Sequence, residues 1–317
     1  MFKEGIYAGI DCGTGGIRML VCRVYPDGTT ERLHAQSVDH NIGKDLNADG
    51  RIQPETTSHV AAAARMFLEK ATSLGAEGVR AVATESFRAA ANGDEVLARI
   101  SREALPFTLL TGLEELEISL MGVRPYIPDI REDFYFADSG GGSTEVALVD
   151  GETGRILAGK SLRFGVSSLA KQLAEISDKP TSAQLKDFTL NLAKTIERKM
   201  ADWDKPATDA TKLVMAGSPL FLKRFQLEHA EPRRDEYIGK TLRQADIITI
   251  AEDLAGLGHE GRQKSAYIDD AGVYFMLPAA VKGAALLKAT GTEEIIIASS
   301  GICAGLALQQ AAERRAS

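Results

Sequence analysis

The chain carries one short pattern twice. Near its start stands YAGIDCGTGGIRMLV (residues 7–21), and further on stands YFADSGGGSTEVAL (residues 135–148). With Asp11 placed on Asp138, Gly13 falls on Gly140 and Gly15 on Gly142. The apolar Met19, Leu20 and Val21 then fall on Val146, Ala147 and Leu148. Each copy reads as an apolar strand, an Asp, a glycine-rich turn, a second apolar strand and a further turn. Two such hairpins opening two similar halves imply a duplicated α/β protein with a cleft between its lobes. Glycine weakens a strand, so a run of it at a strand end needs a reason. Backbone N–H groups left bare of side chains can close on an anion, which would place both turns at that cleft.

The remaining segments fit that layout. Residues 54–74 read as a helix with Pro near its first turn and Gly just past its end. VRAVAT (79–84) reads as a strand, ESFRAAANGDEVLARI (85–100) as one helix, and FTLLTG (107–112) as a strand and turn. LEELEISLMGVR (113–124) is a further helix. KLVMAGSPLFLKRF (212–225) and EIIIASSGICAGLAL (294–308) both run strand, small-residue turn, helix, and a helix opened that way offers unpaired N–H groups to an anion. The prolines of VRPYIPDIRED (123–133) mark the lobe boundary. The expected domains are therefore 1–125, rejoined by a C-terminal helix over 304–317, and 126–303. Residues 175–211 and 241–290 read as mostly helical and carry no interpretable motif.

At 317 residues the chain is long enough for two domains. A net charge of −7 argues against a general nucleic-acid binder, which needs a basic face. Cys12, Cys22 and Cys303 are widely spread with no CxxC pair, which reads as free thiols in a reducing cytosol. MFKEGIYAGID has an early acidic residue and a short apolar run, unlike a secretory signal, and the most apolar segment is too short to span a bilayer. The expectation is a cytoplasmic protein that acts without nucleic acid or membrane and that leaves room for a homodimer. The five histidines show no metal-ligand spacing, and neither a Walker loop nor a GxSxG elbow is present.

Taken in order, the motifs resemble the exopolyphosphatase/guanosine pentaphosphate phosphatase (Ppx/GppA) family of the actin-like, sugar-kinase-like superfamily. DCGTGGIRMLV resembles its first phosphate loop, VATESFRAAANGDEVL its Ala-Thr-x-x-x-Arg-x-Ala-x-Asn segment, and LLTGLEELEISLMGVR its Gly-x-Glu-Glu-Ala helix. ADSGGGSTEVAL resembles its Asp-Ile-Gly-Gly-Gly-Ser-Thr-Glu loop, and LRFGVSSLA a glycine-containing strand that follows. Three positions depart from the pattern. Gly13-Thr14-Gly15-Gly16 stands where the family has Gly-Ser-Asn-Ser, AGSP replaces a Ser-Gly-Thr-like turn, and GICAG lacks a charged pair.

The resemblance implies a two-lobed actin-like (ribonuclease H-like) fold. It implies a phosphohydrolase that releases terminal orthophosphate from a linear phosphoanhydride with Mg²⁺ or Mn²⁺. Inorganic polyphosphate comes first as substrate. A guanosine pentaphosphate phosphohydrolase and a non-catalytic alarmone- or polyphosphate-binding regulator are the alternatives. Carried onto this chain, Glu115 is the general base, with Glu114 and Glu117 as solvated companions, and Arg88 clamps a phosphate bidentately. Gly13, Thr14, Gly15, Gly16 and Arg18, then Gly140, Gly141, Gly142, Ser143 and Thr144, then Gly217 and Ser218 bind phosphate. Asp138 and Glu145 hold the metal, with Asp11 in the equivalent position of the first lobe.

Overall fold

The computed structural model describes residues 1–40, 42–203, 210–299 and 301–316. The chain divides into two units, one formed by Met1–Pro125 with Ser300–Ser317 and the other by Tyr126–Ser299. The second boundary thus falls before residue 300 rather than after 303, because the C-terminal helix begins at Ile302 rather than 304.

The first unit opens with a meander of β1 (Gly5–Cys12), β2 (Gly16–Val24) and β3 (Thr30–Asp39). Then come α1 (Ile42–Asp49), α2 (Pro54–Ser73), β4 (Gly78–Ala83), α3 (Glu85–Ala89), α4 (Gly93–Glu103), β5 (Phe107–Leu109) and α5 (Gly112–Val123). The sheet order is β3-β2-β1-β4-β5, with β4 parallel to β1 and β5 parallel to β4.

The second unit repeats this plan. A meander of β6 (Phe134–Ser139), β7 (Thr144–Val149) and β8 (Ile156–Leu162) leads into α6 (Val166–Ile176), α7 (Ser182–Met200), β9 (Lys212–Ala216) and α8 (Pro219–Gln226). There follow α9 (Arg234–Tyr237), β10 (Thr241–Arg243), α10 (Gln244–Lys264), α11 (Asp270–Thr290) and β11 (Glu294–Ala298). The order β8-β7-β6-β9-β11 matches that of the first sheet, and β10 adds an antiparallel edge beyond β11. Even the irregularities coincide. The meander slips register at Val21/Cys22 in the first unit and at Leu148/Val149 in the second, which the sequence repeat places on one another.

Strand alternation sets the two faces of the first sheet. Ala8, Ile10 and Cys12 face α2, where Val60, Ala61, Ala64 and Phe67 pack against them. On the opposite face Tyr7 meets Ala307, Leu308 and Ala311 of α12 (Ile302–Ala316). In the second unit α11 is the central core helix, with fourteen of its residues buried. It is long and apolar enough to cross a membrane by composition, yet that apolar surface is packed inside the unit.

The helix expected over 85–100 is two helices. Asn92 stops the first by turning its amide onto the backbone of Ile52, accepting from its N–H and donating to its carbonyl at 2.9 Å each. Ala91 N–H likewise binds Gly50 O at 2.9 Å. A Cβ on Gly93 would lie 1.9 Å from the Phe87 carbonyl, so the chain turns sharply there only as glycine.

Bare backbone also seats α12. A Cβ on Gly9 would stand 2.1 Å from Cys303 O, one on Gly122 1.9 Å from Gly301 O, and one on Gly305 1.9 Å from Ile118 O. These are backbone contacts that cannot swing aside. We expect Gly305→Ala to cost about 1–3 kcal/mol of unfolding free energy through overpacking, read from the urea midpoint. Gly256→Ala, in α10 where a Cβ meets nothing within 4 Å, should instead gain about 0.5–1 kcal/mol. Equal effects at the two sites would refute the close-packing account.

Candidate functional site

Each hairpin turn is held from behind by the helix that follows its meander. In the first unit Gly13 N–H closes the turn on Gly16 O at 3.0 Å, and Gly43 N–H, in the first turn of α1, binds Thr14 O at 3.2 Å. In the second, Val166 and Ser167 at the start of α6 donate to Gly140 O at 3.2 Å and Gly141 O at 3.0 Å. Thr14 and Gly141 are equivalent in the repeat. A planar trans peptide points its N–H opposite to its C=O. Drawing these carbonyls towards α1 and α6 therefore directs the N–H groups of Gly15, Gly141 and Gly142 away from the helices. That is the arrangement an anion needs.

The turn glycines are not required by the protein's own packing at the decisive positions. Neither Gly13 nor Gly15 has a left-handed φ. A Cβ on Gly13 would make only ordinary contacts at 3.8–4.0 Å, and one on Gly15 would meet nothing within 4 Å. Gly165 is different, since a Cβ there would fall 2.0 Å from Gly141 O, so α6 can close on the turn only through glycine. Gly217 has φ +84°, and the Ser218 hydroxyl beside it pairs with that of Ser139 at 2.9 Å.

The first unit also assembles a carboxylate site. Thr111 caps α5 in a reciprocal box with Glu114, whose carboxylate accepts Thr111 N–H at 2.7 Å and its hydroxyl at 2.8 Å. Those bonds hold Glu114 below the usual carboxylate range. Glu114 is thus a capping residue rather than only a solvated companion, while Glu117 is exposed. Glu115 turns inward, 4% exposed, and its Oε1 accepts from Arg88 Nη1. Arg88 Nη1 also donates to Leu110 O, and its Nε and Nη2 reach Glu85 Oε2 at 3.1 and 2.8 Å. Burial alone would lower the guanidinium's pKa, and the two carboxylates outweigh it and raise it. Four of the five guanidinium N–H groups are thereby committed. A bidentate phosphate clamp, as expected from the sequence, has no second N–H to use. Arg88 instead fixes Glu115. It also lines a cavity of about 620 Å³ with Arg51, Phe87 and Asn92. Asp94 and Glu95 share that wall, so its charge is mixed.

The second turn concentrates charge. Asp138 and Glu145 are directly opposite in the β6–β7 ladder, and Glu145 is opposite Ser161 of β8, so the three side chains share one face. Glu145 is 3% exposed and accepts from Ser161 Oγ at 2.7 Å. Burial, then the neighbouring Asp138 charge, push Glu145 up to about 7 against the pull of Ser161, Ser143 and Lys282. Lys282 of α11 was not anticipated. It is fully buried, with Nζ 3.2 Å from Thr144 Oγ1 and 3.4 Å from Gly140 O. Burial pushes it down to about 7, opposed by Glu145 and Asp138.

The remaining expected residues divide. Thr144 is fully buried, and its hydroxyl donates to Phe164 O at 2.8 Å. It lies on the opposite face from Glu145, so only its backbone remains for a phosphate. Ser143 is buried and turned to Glu145. Arg18 is exposed, directly opposite Asp11 in the β1–β2 ladder. Asp11 is half-buried and its charge bears on Cys303 in the first turn of α12. All three cysteines are buried free thiols.

A model of the Ppx/GppA phosphatase family matches residues 23–313. The chain belongs to this family. The first turn lies just outside the matched stretch, where the chain departs from the family's usual residues. Exopolyphosphatase 2 of Mycobacterium tuberculosis is 33% identical over 183 residues, 55% of this chain and 56% of that protein. The match therefore spans little more than half the length of that curated relative. The Ppx/GppA protein of Aquifex aeolicus superposes with a TM-score of 0.79 at 21% identity, covering 97% of both chains. An exopolyphosphatase-like protein gives 0.83 at 21% identity, covering 99% of this chain and all of that one. At this identity the likeness speaks for the fold, which is the two-unit α/β fold of Ppx/GppA proteins.

Because Gly15 faces open space, Gly15→Val should leave unfolding free energy within about 0.5 kcal/mol of wild type yet obstruct anion approach. We expect phosphate release to fall while the urea midpoint stays put. Retained activity would show that the first turn receives no ligand.

Proposed function

We propose that this Ppx/GppA protein is a phosphohydrolase that removes terminal orthophosphate from a linear phosphoanhydride, with inorganic polyphosphate as its first substrate and guanosine pentaphosphate as its second. The observation that carries this reading is the twofold tying-back of the turn carbonyls, which aims backbone N–H groups outward at equivalent points of both units. Side-chain phosphate ligands are few in these turns, and the backbone takes over that work. Phosphoryl transfer asks little covalent chemistry of a protein and much positioning and charge stabilisation. The reading entails a cytoplasmic enzyme, monomeric or homodimeric, that works without nucleic acid or membrane. Its three buried free thiols suit a reducing compartment.

Glu115 is the proposed base. Held through Oε1 by Arg88, it is fixed in orientation, which suits a carboxylate that orients an attacking water. Arg88 acts through Glu115 as a positioning residue, and Arg18, exposed beside the first turn, is the proposed side-chain cation for phosphate there.

Asp138 and Glu145, with the Ser143 and Ser161 hydroxyls near Glu145, form an all-oxygen donor set, which fits a hard divalent cation. The elevated Glu145 points the same way, since a carboxylate penalised by burial and by Asp138 gains from an added positive charge. Among the described residues no three His, Cys, Asp or Glu side chains form a metal-binding group. The proposed ligands are Asp138 and Glu145, with Asp11 in the equivalent position of the first unit. Bound Mg²⁺ or Mn²⁺ would supply charge neutralisation at phosphoryl oxygens.

The binder reading has one observation in its favour, the engagement of Glu115 by Arg88. Turnover separates the two. We expect Glu115→Gln to lower the rate about a hundredfold to ten-thousandfold with ligand affinity largely kept. The assay is phosphate release from polyphosphate, guanosine pentaphosphate and ATP, with Mg²⁺ and with EDTA. A variant that keeps more than about a third of wild-type rate, far above what loss of a base allows, excludes Glu115 as base. Full activity in EDTA excludes the metal.

A further inference from the structure

Lys282 lies in the middle of α11, a helix whose other core-facing residues in this stretch are apolar or small: Met276, Leu277, Ala279, Ala280, Val281 and Ala284. A lysine with no exposed surface is costly, and such side chains persist where the ammonium is bonded and charge-matched. Its Nζ meets both conditions at one place. It reaches Gly140 O at 3.4 Å and Thr144 Oγ1 at 3.2 Å, the two ends of the second glycine turn, and it lies within electrostatic reach of Glu145 and Asp138.

Gly140 O is thus gripped twice, by Val166 N–H and by Lys282. At the other end of the turn Thr144 Oγ1 accepts from Lys282 while donating to Phe164 O. Among the described residues no lysine is bonded to the first turn, whose carbonyls are held by Gly43 N–H on Thr14 O and Gly13 N–H on Gly16 O. Among the described residues the second turn has an internal cation bonded to it and the first does not.

We propose that Lys282 is a positioning residue of the second turn: its ammonium braces the turn from the core side and acts as a resident counter-charge there, favouring a phosphate on the outer side and disfavouring a divalent cation on Asp138 and Glu145. The two effects follow from one charge. In its protonated form Lys282 adds to the attraction for an anion at the turn and repels a metal ion held by the two nearby carboxylates. Bracing the Gly140 carbonyl also keeps the Gly141 N–H pointed outward.

This rests on the reading that the second turn receives phosphate, and binding measurements test it apart from turnover. Methylenediphosphonate, which is not hydrolysed, serves as the anion probe by calorimetry without metal. Mn²⁺ serves as the cation probe by electron paramagnetic resonance. Lys282→Met removes both donor and charge, and Lys282→Gln keeps a donor but removes the charge. For Lys282→Met we expect the anion Kd to rise about tenfold and the Mn²⁺ Kd to fall severalfold, the order set by one charge contact in a partly buried site. Lys282→Gln should shift Mn²⁺ binding as far and anion binding less.

Opposite signs for the two ligands are what a merely structural lysine would not give. If both ligands weaken together, if neither affinity moves, or if neither variant folds by thermal melt, Lys282 is structural only and the proposal is overturned. Wild type that binds the anion but releases no phosphate from any substrate would sink the hydrolase reading and leave this one standing. Wild type that binds no anion would overturn both.

Discussion

A backbone turn that is to receive an anion must first dispose of its own carbonyls. Each peptide unit carries a donor and an acceptor on opposite sides, so a row of N–H groups faces one way only if the C=O groups are satisfied the other way. Both units meet this demand with the start of the helix that follows the third strand, α1 in one and α6 in the other. Much of the fold follows from that need. The meander must be long enough to return the chain to the hairpin turn, and the helix must start at the level of the glycines. At the tightest point, Gly165 on Gly141, no side chain fits between them. Backbone bonds from the starts of α1 and α6 shape the turns that they brace. The matching register slips at Val21/Cys22 and Leu148/Val149 lie towards the start of the third strand in both units, where a bulge adds local twist.

The hairpins, the parallel strands and the lobe boundary were legible because strand alternation and glycine or proline punctuation are local signals. The break at Ala90–Asn92 was not. Ala-Ala-Asn reads as helix until Asn92 is seen to hold Ile52, a partner distant in sequence. Glu115 was picked out of three glutamates only through resemblance, and the physical distinction among them came from the Thr111 cap, which claims Glu114 and turns Glu115 inward. The commitment of Arg88 to Glu85 could not be foreseen, because a guanidinium at that position serves phosphate and carboxylate equally well. Thr144 could have been read better. Once Asp138 and Glu145 are cross-strand partners, alternation puts Thr144 on the other face. Lys282 left one faint trace, a single cation inside AAVKGAAL. In a long apolar helix that cation is either at an exposed edge or paired inside, and sequence cannot say which.

The duplication makes the backbones alike and so isolates what the side chains change. At the strand ends the same ladder positions hold Asp11 opposite Arg18 in one unit and Asp138 opposite Glu145 in the other. One pair is balanced, and its arginine is exposed. The other is two acids, one of them almost wholly buried, with a lysine beneath. Like charges directly opposite in a ladder are destabilising, which raises Glu145, and Lys282 offsets part of that repulsion from within the unit. An added divalent ion would therefore find its proposed ligands in the second unit rather than at the first turn. There Arg18 already occupies the position of Glu145, and a second cation would meet repulsion.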